Sequence, residues 1–270
     1  MIVAVDIGGS KIRVGYSRIG DHIEEYIDFP TPKNQRVVVN SIIENIHRLI
    51  GISQIDAIGV CSPAPIDKKR GTIGAPHNIP WKNLRIVAPL QKHFNCKVTF
   101  EHDATSAGIA EARIGAGKDY RLVLYITVST GIGNSILVDG YPIPGPHNPQ
   151  GGDIIVNYSP TEIKSFSAST SGRAIEEYYQ KSPSMIKDSK HWKTIASELS
   201  IGIFDMISIV NPEIVVLGGG VAVHYKKFHK PLIRQLNSFK PLYPLPPIRK
   251  AVFVETAPLV GAMLLAAENT

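Results

Sequence analysis

The first fifteen residues consist of an apolar run, a short glycine turn and a second run in which apolar and polar positions alternate. β-Branched residues recur at positions 2–7 and 12–15 and flank the run DIGGSK at positions 6–11. Because such residues favour strands and glycine tolerates the positive φ of a tight turn, the pattern predicts a β-hairpin. In P-loop and dinucleotide-binding sites the glycines lead into a helix instead, and no G-x-x-x-x-G-K-[ST] string occurs in the chain. Both of these site types are therefore excluded.

A second stretch repeats this arrangement further along the chain. An apolar run fills positions 123–128, small residues follow at 129–134, and a second apolar run covers 135–140. The pattern again predicts a strand, a turn and a strand. Two such hairpins facing each other are expected to grip a polyphosphate from both sides.

The first turn has the chemistry of an anion site. Gly8 and Gly9 let backbone N–H groups approach phosphate oxygens, and Ser10 and Lys11 add a hydroxyl and a cation. Asp6, at the end of the first strand, is placed to hold a hydrated Mg²⁺, which prefers one or two carboxylates plus substrate phosphates. The alternative is a plain hairpin whose Asp6 caps the turn. The D-x-G-G pattern alone does not decide between these interpretations.

Periodicity elsewhere predicts a mixed α/β chain. Strands are expected at 23–29, 55–60, 98–100, 154–156, 213–217 and 251–254, and loops at 71–81, 141–150 and 241–247. Helices are expected at 37–50, 84–94, 104–114, 170–180, 192–210 and 259–267, with another after the glycines at 218–220. Three strands followed by a helix and a strand correspond to the first half of an RNase-H-like unit.

Asp103 lies where a predicted strand ends and a helix begins. Taken alone, it is best interpreted as a helix cap, a common role for Asp. Its position between the two glycine hairpins favours chemistry on a phosphate instead.

Gly218, Gly219 and Gly220 occupy another junction between a strand and a helix. Glycines there allow a flat ring to lie against the backbone, with the helix N-terminus facing it. A tight turn is the alternative interpretation. A dinucleotide fingerprint is excluded because its third glycine is missing.

Composition limits the remaining possibilities. The chain has 270 residues, of which 43% are hydrophobic and 19% charged, so two modest domains with real cores are expected. The net charge of +6 is spread out, and a nucleic-acid footprint is not expected. Cys61 and Cys96 are too few for a disulfide framework or a cysteine-based zinc site. No signal peptide or membrane span is expected, which indicates a cytoplasmic protein.

Together these motifs resemble the ROK group of sugar kinases and related regulators, within the actin, hexokinase and Hsp70 superfamily. The resemblance spans nearly the whole chain in the expected order. It rests on Asp6-Ile7-Gly8-Gly9-Ser10-Lys11, Ala75-Pro76 with Asn78 and Trp81, Asp103-Ala104, Ser129-Thr130-Gly131-Ile132-Gly133, Ser171-Gly172 and positions 211–220.

The resemblance implies an α/β fold of two RNase-H-like (actin-like ATPase) lobes, residues 1–115 with 256–270 and residues 116–255, around a central nucleotide and sugar cleft. It implies a kinase that transfers the γ-phosphoryl group of ATP to a hydroxyl of a hexose or related sugar. In that kinase Asp6 holds Mg²⁺, and Asp103 is the general base. The implied ATP-binding residues are Asp6, Gly8, Gly9, Ser10, Lys11, Thr130, Gly131, Gly133, Gly218, Gly219 and Gly220, and the implied sugar-binding residues are Asn78, His102, Asp103 and Asp153. A homodimer without nucleic-acid or membrane partners is also implied.

The sugar half of the implied site departs from the family pattern. His102 replaces the Asn that precedes the catalytic Asp and binds a sugar hydroxyl in family kinases. Gly151-Gly152-Asp153 is all that represents the family's Gly-Glu-x-Gly-His segment, so Asp153 is its acidic residue and its histidine is missing. The zinc-binding cysteines are also missing, so no structural zinc is expected, and Ser167 falls near the position of the following Glu. A catalytically inactive regulator that binds nucleotide or sugar is therefore the alternative. No helix-turn-helix precedes the first strand, so DNA binding in that mode is not expected.

Overall fold

The chain forms two compact units in a computed structural model. The first contains Met1–Ala110 and Thr256–Thr270, and the second contains Glu111–Glu255. The structure describes residues 1–63, 65–75 and 81–270. Within those ranges, no helix combines the length and the apolar character needed to cross a lipid bilayer.

The first unit begins with three consecutive strands before its first helix. Its strands are β1 (Ile2–Ile7), β2 (Lys11–Ser17), β3 (Glu25–Pro30), β4 (Ala57–Ser62), β5 (Ile66–Asp67), β6 (Thr72–Ile73), β7 (Leu84–Arg85) and β8 (Lys97–His102). Its helices are α1 (Gln35–Ile50), α2 (Val87–Phe94) and the first turns of α3 (Asp103–Arg113).

The second unit follows, and the chain then returns to the first. The strands of the second unit are β9 (Leu122–Val128), β10 (Ile132–Val138), β11 (Tyr141–Pro142), β12 (Ile155–Ser159), β13 (Glu162–Ser165), β14 (Ile214–Gly218) and β15 (Ile248–Lys250). Its helices are α4 (Phe166–Thr170), α5 (Gly172–Tyr179), α6 (Ser189–Val210) and α7 (Tyr225–Ser238), with 3-10 turns at Gly151–Asp153, Pro183–Met185 and Gly220–His224. The last helix, α8 (Ala257–Ala267), belongs to the first unit.

In the first unit, the order of the main sheet is β3-β2-β1-β4-β8. β1 pairs antiparallel with β2 and parallel with β4, and β8 runs parallel to β4. Val3, Val5 and Ile7 share a buried core with the apolar residues of α1 and α2, while α8 packs against β1 and β4. Because both faces of the sheet are covered, β1 is buried along its whole length, as its continuous apolar run predicts.

In the second unit, the order of the main sheet is β11-β10-β9-β14-β15. β9 and β10 form the predicted antiparallel hairpin, and β14 and β15 run parallel to β9. The long helix α6 carries apolar residues at intervals of three and four, and it packs with α7 in the core of this unit. Trp192 of α6 stacks on Phe228 of α7 at a centroid distance of 5.9 Å.

Three predicted elements are wrong in position, each because of specific hydrogen bonds. The strand expected at 251–254 lies at Ile248–Lys250, because the amides of Val252 and Phe253 donate to the buried carboxylate of Glu111 (3.0 and 2.7 Å). The helix expected at 84–94 begins at Val87, because Leu84–Arg85 pairs with β6. The helix expected at 170–180 begins at Gly172, where the Ser171 hydroxyl caps it by accepting from the amide of Ala174.

Helix α8 approaches its neighbours too closely for side chains at two glycines. A Cβ on Gly59 of β4 would lie 1.9 Å from the carbonyl oxygen of Ala262, and a Cβ on Gly261 would lie 1.7 Å from that of Ser106 in α3. Both obstacles are backbone atoms, which cannot swing aside. These glycines therefore fix the position of α8 on the sheet and on the start of α3.

We expect Gly261→Ala to lower the free energy of unfolding by about 3 kcal/mol, the upper end of the usual range for overpacking, because the new methyl group must displace backbone. Urea unfolding followed by circular dichroism measures the change. Gly220→Ala is the matched control, since its Cβ would meet nothing within 4 Å. Equal stability of the two variants would contradict this account of α8.

Candidate active site

The parallel strands of the first unit end side by side and bring four polar side chains to one edge of the sheet. Asp6 pairs in register with Cys61 of β4, and Ser62, the next residue of β4, pairs with His102 of β8. Asp103 follows directly as the first residue of α3. Carboxyl ends of parallel strands are the usual place for ligand sites in α/β folds.

The Asp6 carboxylate is buried, with 8% of the residue exposed. Its Oδ2 lies 3.2 Å from Nη1 of Arg13, and its Oδ1 accepts from the Cys61 thiol at 3.6 Å. Burial raises the pKa of Asp6 to about 6; the Arg13 charge opposes the rise, and the Asp103 carboxylate adds to it. Burial, followed by the charges of Asp6 and Asp103, also raises the pKa of the Cys61 thiol well above its usual value. The site thus holds negative charge that a bound cation would stabilise.

Arg13 is a site residue that the sequence analysis missed. Arg13, on β2, lies opposite Asp6 of β1 on one side and opposite Asp28 of β3 on the other, so the three side chains form a ladder across three strands. Its Nε lies 3.2 Å from Asp28 Oδ1, and Lys11 Nζ lies 2.6 Å from Asp28 Oδ2. The hairpin register was the signal that could have revealed it, because oppositely charged residues directly across a strand pair attract.

The glycine turn of the first hairpin differs from the prediction in one respect. Gly8 and Gly9 were expected to need positive φ, but neither has it. Gly8 is required by close approach instead, since its Cβ would lie 2.8 Å from the carbonyl oxygen of Lys11, to which its own amide donates. Thr31 then fastens the turn to β3 by donating from its hydroxyl to the Gly8 carbonyl and from its amide to the Ser10 carbonyl.

The Asp103 side chain is 34% exposed, so it is the accessible carboxylate at this edge. Its Oδ1 accepts from the amide of Ala104 at 2.6 Å and lies 3.1 Å from Nε2 of His102. The carboxylate therefore stabilises the start of α3 and remains in reach of solvent. The capping and chemical interpretations are compatible in this geometry.

The second hairpin turns at Ser129–Gly131, which is tighter than predicted. Ile132 and Gly133 were assigned to the turn, but they belong to β10, where Gly133 pairs with Thr127. The Ser129 amide donates to the Gly131 carbonyl, and the Ser129 carbonyl accepts from Gly172 at 2.6 Å. Ser129 and Thr130 are exposed, so the tip of this turn is available to a ligand.

A pocket of about 430 Å³ lies beside that turn within the second unit. Its walls are the turn, the start of α5, the segment 182–184 and the 3-10 turn that follows β14. The residues concerned are Ser129, Thr130, Gly172, Arg173, Glu176, Ser182, Pro183, Ser184, Gly220, Val221 and His224. Its size suits a nucleoside, whose ring would lie against backbone at Gly220.

The three glycines at the end of β14, Gly218, Gly219 and Gly220, have different roles. A Cβ on Gly218 would lie 2.2 Å from the Tyr125 hydroxyl, and Gly219 has φ +83° with its Cβ position 2.5 Å from the Val128 carbonyl oxygen. Both are therefore required by packing against β9 and by the turn. Gly220 alone meets open space, and it lines the pocket.

The remaining predicted residues lie elsewhere or outside the described chain. Asp153 is exposed on the 3-10 turn of the second unit, and its neighbours Gly151 and Gly152 pack on β10. Ser167 accepts from the Ile132 amide at 3.2 Å, so it supports the second hairpin. Asn78 falls outside the described residues.

Asp6 fits a metal that is carried by a nucleotide. No group of three His, Cys, Asp or Glu side chains suited to a metal occurs in the described ranges. Mg²⁺ needs fewer protein ligands, because one or two carboxylates and substrate phosphates suffice. The buried Asp6 carboxylate, whose charge is only partly balanced, meets that requirement.

A family model described as the ROK family matches residues 2–269. The chain belongs to the ROK family. A fructokinase of Zymomonas mobilis is 30% identical to it over 183 residues, which cover 61% of each chain. The crystal structure of a ROK hexokinase from Thermus thermophilus superposes with a TM-score of 0.77 at 27% identity and covers 99% of this chain and 98% of that one.

A ROK glucokinase from Streptomyces griseus, solved in complex with glucose and AMPPNP, shares the fold with a TM-score of 0.84 at 22% identity, covering 99% of both chains. The actin-like ATPase fold class predicted for this chain is thereby confirmed. ROK relatives include glucokinases and fructokinases, and a ROK transcriptional regulator also has this fold.

Titration of Asp6 predicts a pH-dependent stability in the metal-free protein. Because its pKa rises from 3.8 to about 6 on folding, its contribution to stability is fully present below pH 3.8 and is lost as pH rises through 6. The neutral side chain of Asp6→Asn has no such dependence. Relative to wild type, this variant should therefore gain on the order of 3 kcal/mol between pH 4 and 7.5. Urea unfolding in EDTA at several pH values tests this, and a constant difference would contradict it.

Proposed function

We propose that this protein is an ATP-dependent sugar kinase that transfers the γ-phosphoryl group to a hydroxyl of a hexose or related sugar. Membership of the ROK family and the similarity to glucokinases and fructokinases support the reaction class. The observation that carries the proposal is the accessible Asp103 carboxylate at the strand edge that also holds Asp6.

Asp103 is the general base in this proposal. One oxygen, Oδ1, accepts from the Ala104 amide, which leaves Oδ2 to accept the proton of the attacking sugar hydroxyl. Phosphoryl transfer depends mainly on positioning and charge stabilisation, with one carboxylate to orient the nucleophile. A rigid strand end followed by a helix start provides such positioning.

ATP and Mg²⁺ are the cofactors in this proposal. The metal would be held by Asp6, where it neutralises charge on the phosphates of the bound nucleotide. We assign two groups of residues to binding the phosphates of ATP. They are Gly8, Gly9, Ser10 and Lys11 of the first hairpin, and Thr130, Gly131 and Gly133 of the second. The pocket at Gly220 in the second unit is assigned to adenosine, and Asp153 with Asn78 to the sugar.

A regulator that has lost catalysis is the second candidate. The changes at His102, Asp153 and Ser167 all fall among residues that the family uses for the sugar, and they favour this alternative. ADP release measured across hexoses, acetamido sugars and polyols separates the two functions. Stimulation by any acceptor supports the kinase, and the absence of stimulation by all of them supports the regulator.

The homodimer and the lobe boundaries expected from the resemblance remain predictions, as does the cytoplasmic location expected from the absence of a signal peptide and a membrane span. Light scattering of the purified protein measures its mass in solution and tests the first of these.

Asp103→Asn should lower kcat by roughly 10²- to 10⁴-fold, the usual contribution of a general base, because an amide cannot take the proton. Steady-state kinetics with the best acceptor of the panel measures the loss. Asp21→Asn is the control, since that carboxylate is 61% exposed on the same unit. Activity of Asp103→Asn within a few-fold of wild type would remove Asp103 from this role.

Gly220→Ala should weaken nucleotide binding, because the added methyl group enters the pocket while the backbone stays unstrained. A misfit of ~1–3 kcal/mol raises Kd roughly 5- to 100-fold. Calorimetric titration with AMPPNP needs no acceptor and measures the change. Gly145→Ala, outside the pocket, serves as the control. Unchanged affinity in Gly220→Ala would exclude this pocket as the adenosine site.

A further inference from the structure

Helices α1 and α2 contact each other in the first unit, and each carries a histidine in its last turn. These residues are His47 and His93, and both are exposed. Their Nε2 atoms lie 3.0 Å apart, although 46 positions separate them in the sequence. The C-terminal end of a helix carries partial negative charge, which favours a cation nearby. Two helix ends therefore favour a cation at this pair of imidazoles.

The main chain fixes the position of the proton on the His47 ring. Its Nδ1 lies 3.1 Å from the carbonyl oxygen of Gly51, and a carbonyl only accepts, so Nδ1 donates this hydrogen bond. The neutral ring then has its lone pair on Nε2, the nitrogen that faces His93. The Gly51 amide donates back to the His47 carbonyl at 2.8 Å, so both residues are held in place. Metal-binding histidines commonly donate their other ring N–H to a carbonyl in this way.

Phe94 holds the two imidazoles near each other. Its ring centroid lies 5.3 Å from that of His47 and 4.7 Å from that of His93, and its side chain packs on the core of the first unit. Because Nε2 of His47 has the lone pair, Nε2 of His93 donates across the 3.0 Å gap. Neutral imidazole can carry its proton on either nitrogen, so a metal ion can replace the shared proton while His93 keeps one on Nδ1.

The spacing of the two nitrogens is close to that of a zinc site. With Zn–N bonds of about 2.0–2.1 Å, two ligands of a tetrahedral Zn²⁺ lie about 3.3–3.4 Å apart. The separation of 3.0 Å in the structure is about 0.4 Å shorter at most. Since both side chains are exposed, small rotations of the rings can turn the two lone pairs toward one ion.

We propose that His47 and His93 bind a divalent metal ion, Zn²⁺ in particular, that links the ends of α1 and α2. Imidazole suits Zn²⁺ and Cu²⁺, whereas Mg²⁺ prefers oxygen ligands. No third His, Cys, Asp or Glu joins the pair within the described part of the chain, so water completes the coordination. The site uses none of the candidate active-site residues and does not involve the zinc-binding cysteines of the family. The inference does not rest on the proposed kinase function.

Calorimetric titration of the protein without an affinity tag tests the site. Zn²⁺ is added in an excess of Mg²⁺, which occupies the carboxylates of the candidate active site. We expect one Zn²⁺ site in wild type whose affinity falls at least roughly 10-fold in His47→Gln and in His93→Gln, because each removes one of two protein ligands. His22→Gln is the matched control, since His22 is an exposed histidine of the same unit. Equal Zn²⁺ affinity in wild type and in the double variant would overturn the proposal.

Thermal unfolding under the same conditions tests the link between the helices. At about five times its Kd, Zn²⁺ should raise the Tm of wild type by roughly 2–4 °C, because only the folded chain brings the two ligands together. Cu²⁺ should bind more tightly than Zn²⁺. The double variant His47→Gln with His93→Gln should show no Zn²⁺-dependent shift in Tm. If both variants lower Tm while wild type binds no Zn²⁺, the pair is only a hydrogen bond between helices and the proposal is wrong.

Discussion

The charge of the Asp6 carboxylate is the constraint on which the site in the first unit depends. A carboxylate buried at the end of a central strand is unfavourable unless opposite charge lies close to it. Arg13 supplies that charge from the neighbouring strand, and Asp28 holds Arg13 from the strand beyond. Because this ladder exists only in one register of the hairpin, the same pairing that balances Asp6 also fixes the glycine turn beside it.

Close backbone packing of α8 against β4 and α3 fixes the position of Asp103. Small residues on the α8 face of the sheet allow the helix to touch β4 at Gly59, and Gly261 allows it to touch α3 at Ser106. Asp103 is the first residue of α3, so these contacts set its position at the edge of the sheet. The close packing at Gly59 and Gly261 thus positions the carboxylate that we propose as the general base.

The ROK family explains the common parts of the chain, and the departures concern its acceptor side. The turns of the two glycine hairpins and the glycines at the end of β14 follow the family pattern. His102 does not follow that pattern, and its Nε2 lies 3.1 Å from the Asp103 carboxylate that we propose as the general base.

The sequence by itself determined the two hairpins and the long helices, because strand and helix periodicities and glycine turns are local properties. The resemblance of its motifs to the ROK family predicted the fold class. It also placed Asp6 and Asp103 at strand ends. Only the tertiary structure revealed Arg13 as the partner of Asp6, the end of β15 imposed by the Glu111 carboxylate, and the separate tasks of Gly218, Gly219 and Gly220. The first of these follows from the register of the hairpin, and the others follow from packing between residues far apart in the chain, which no local periodicity encodes.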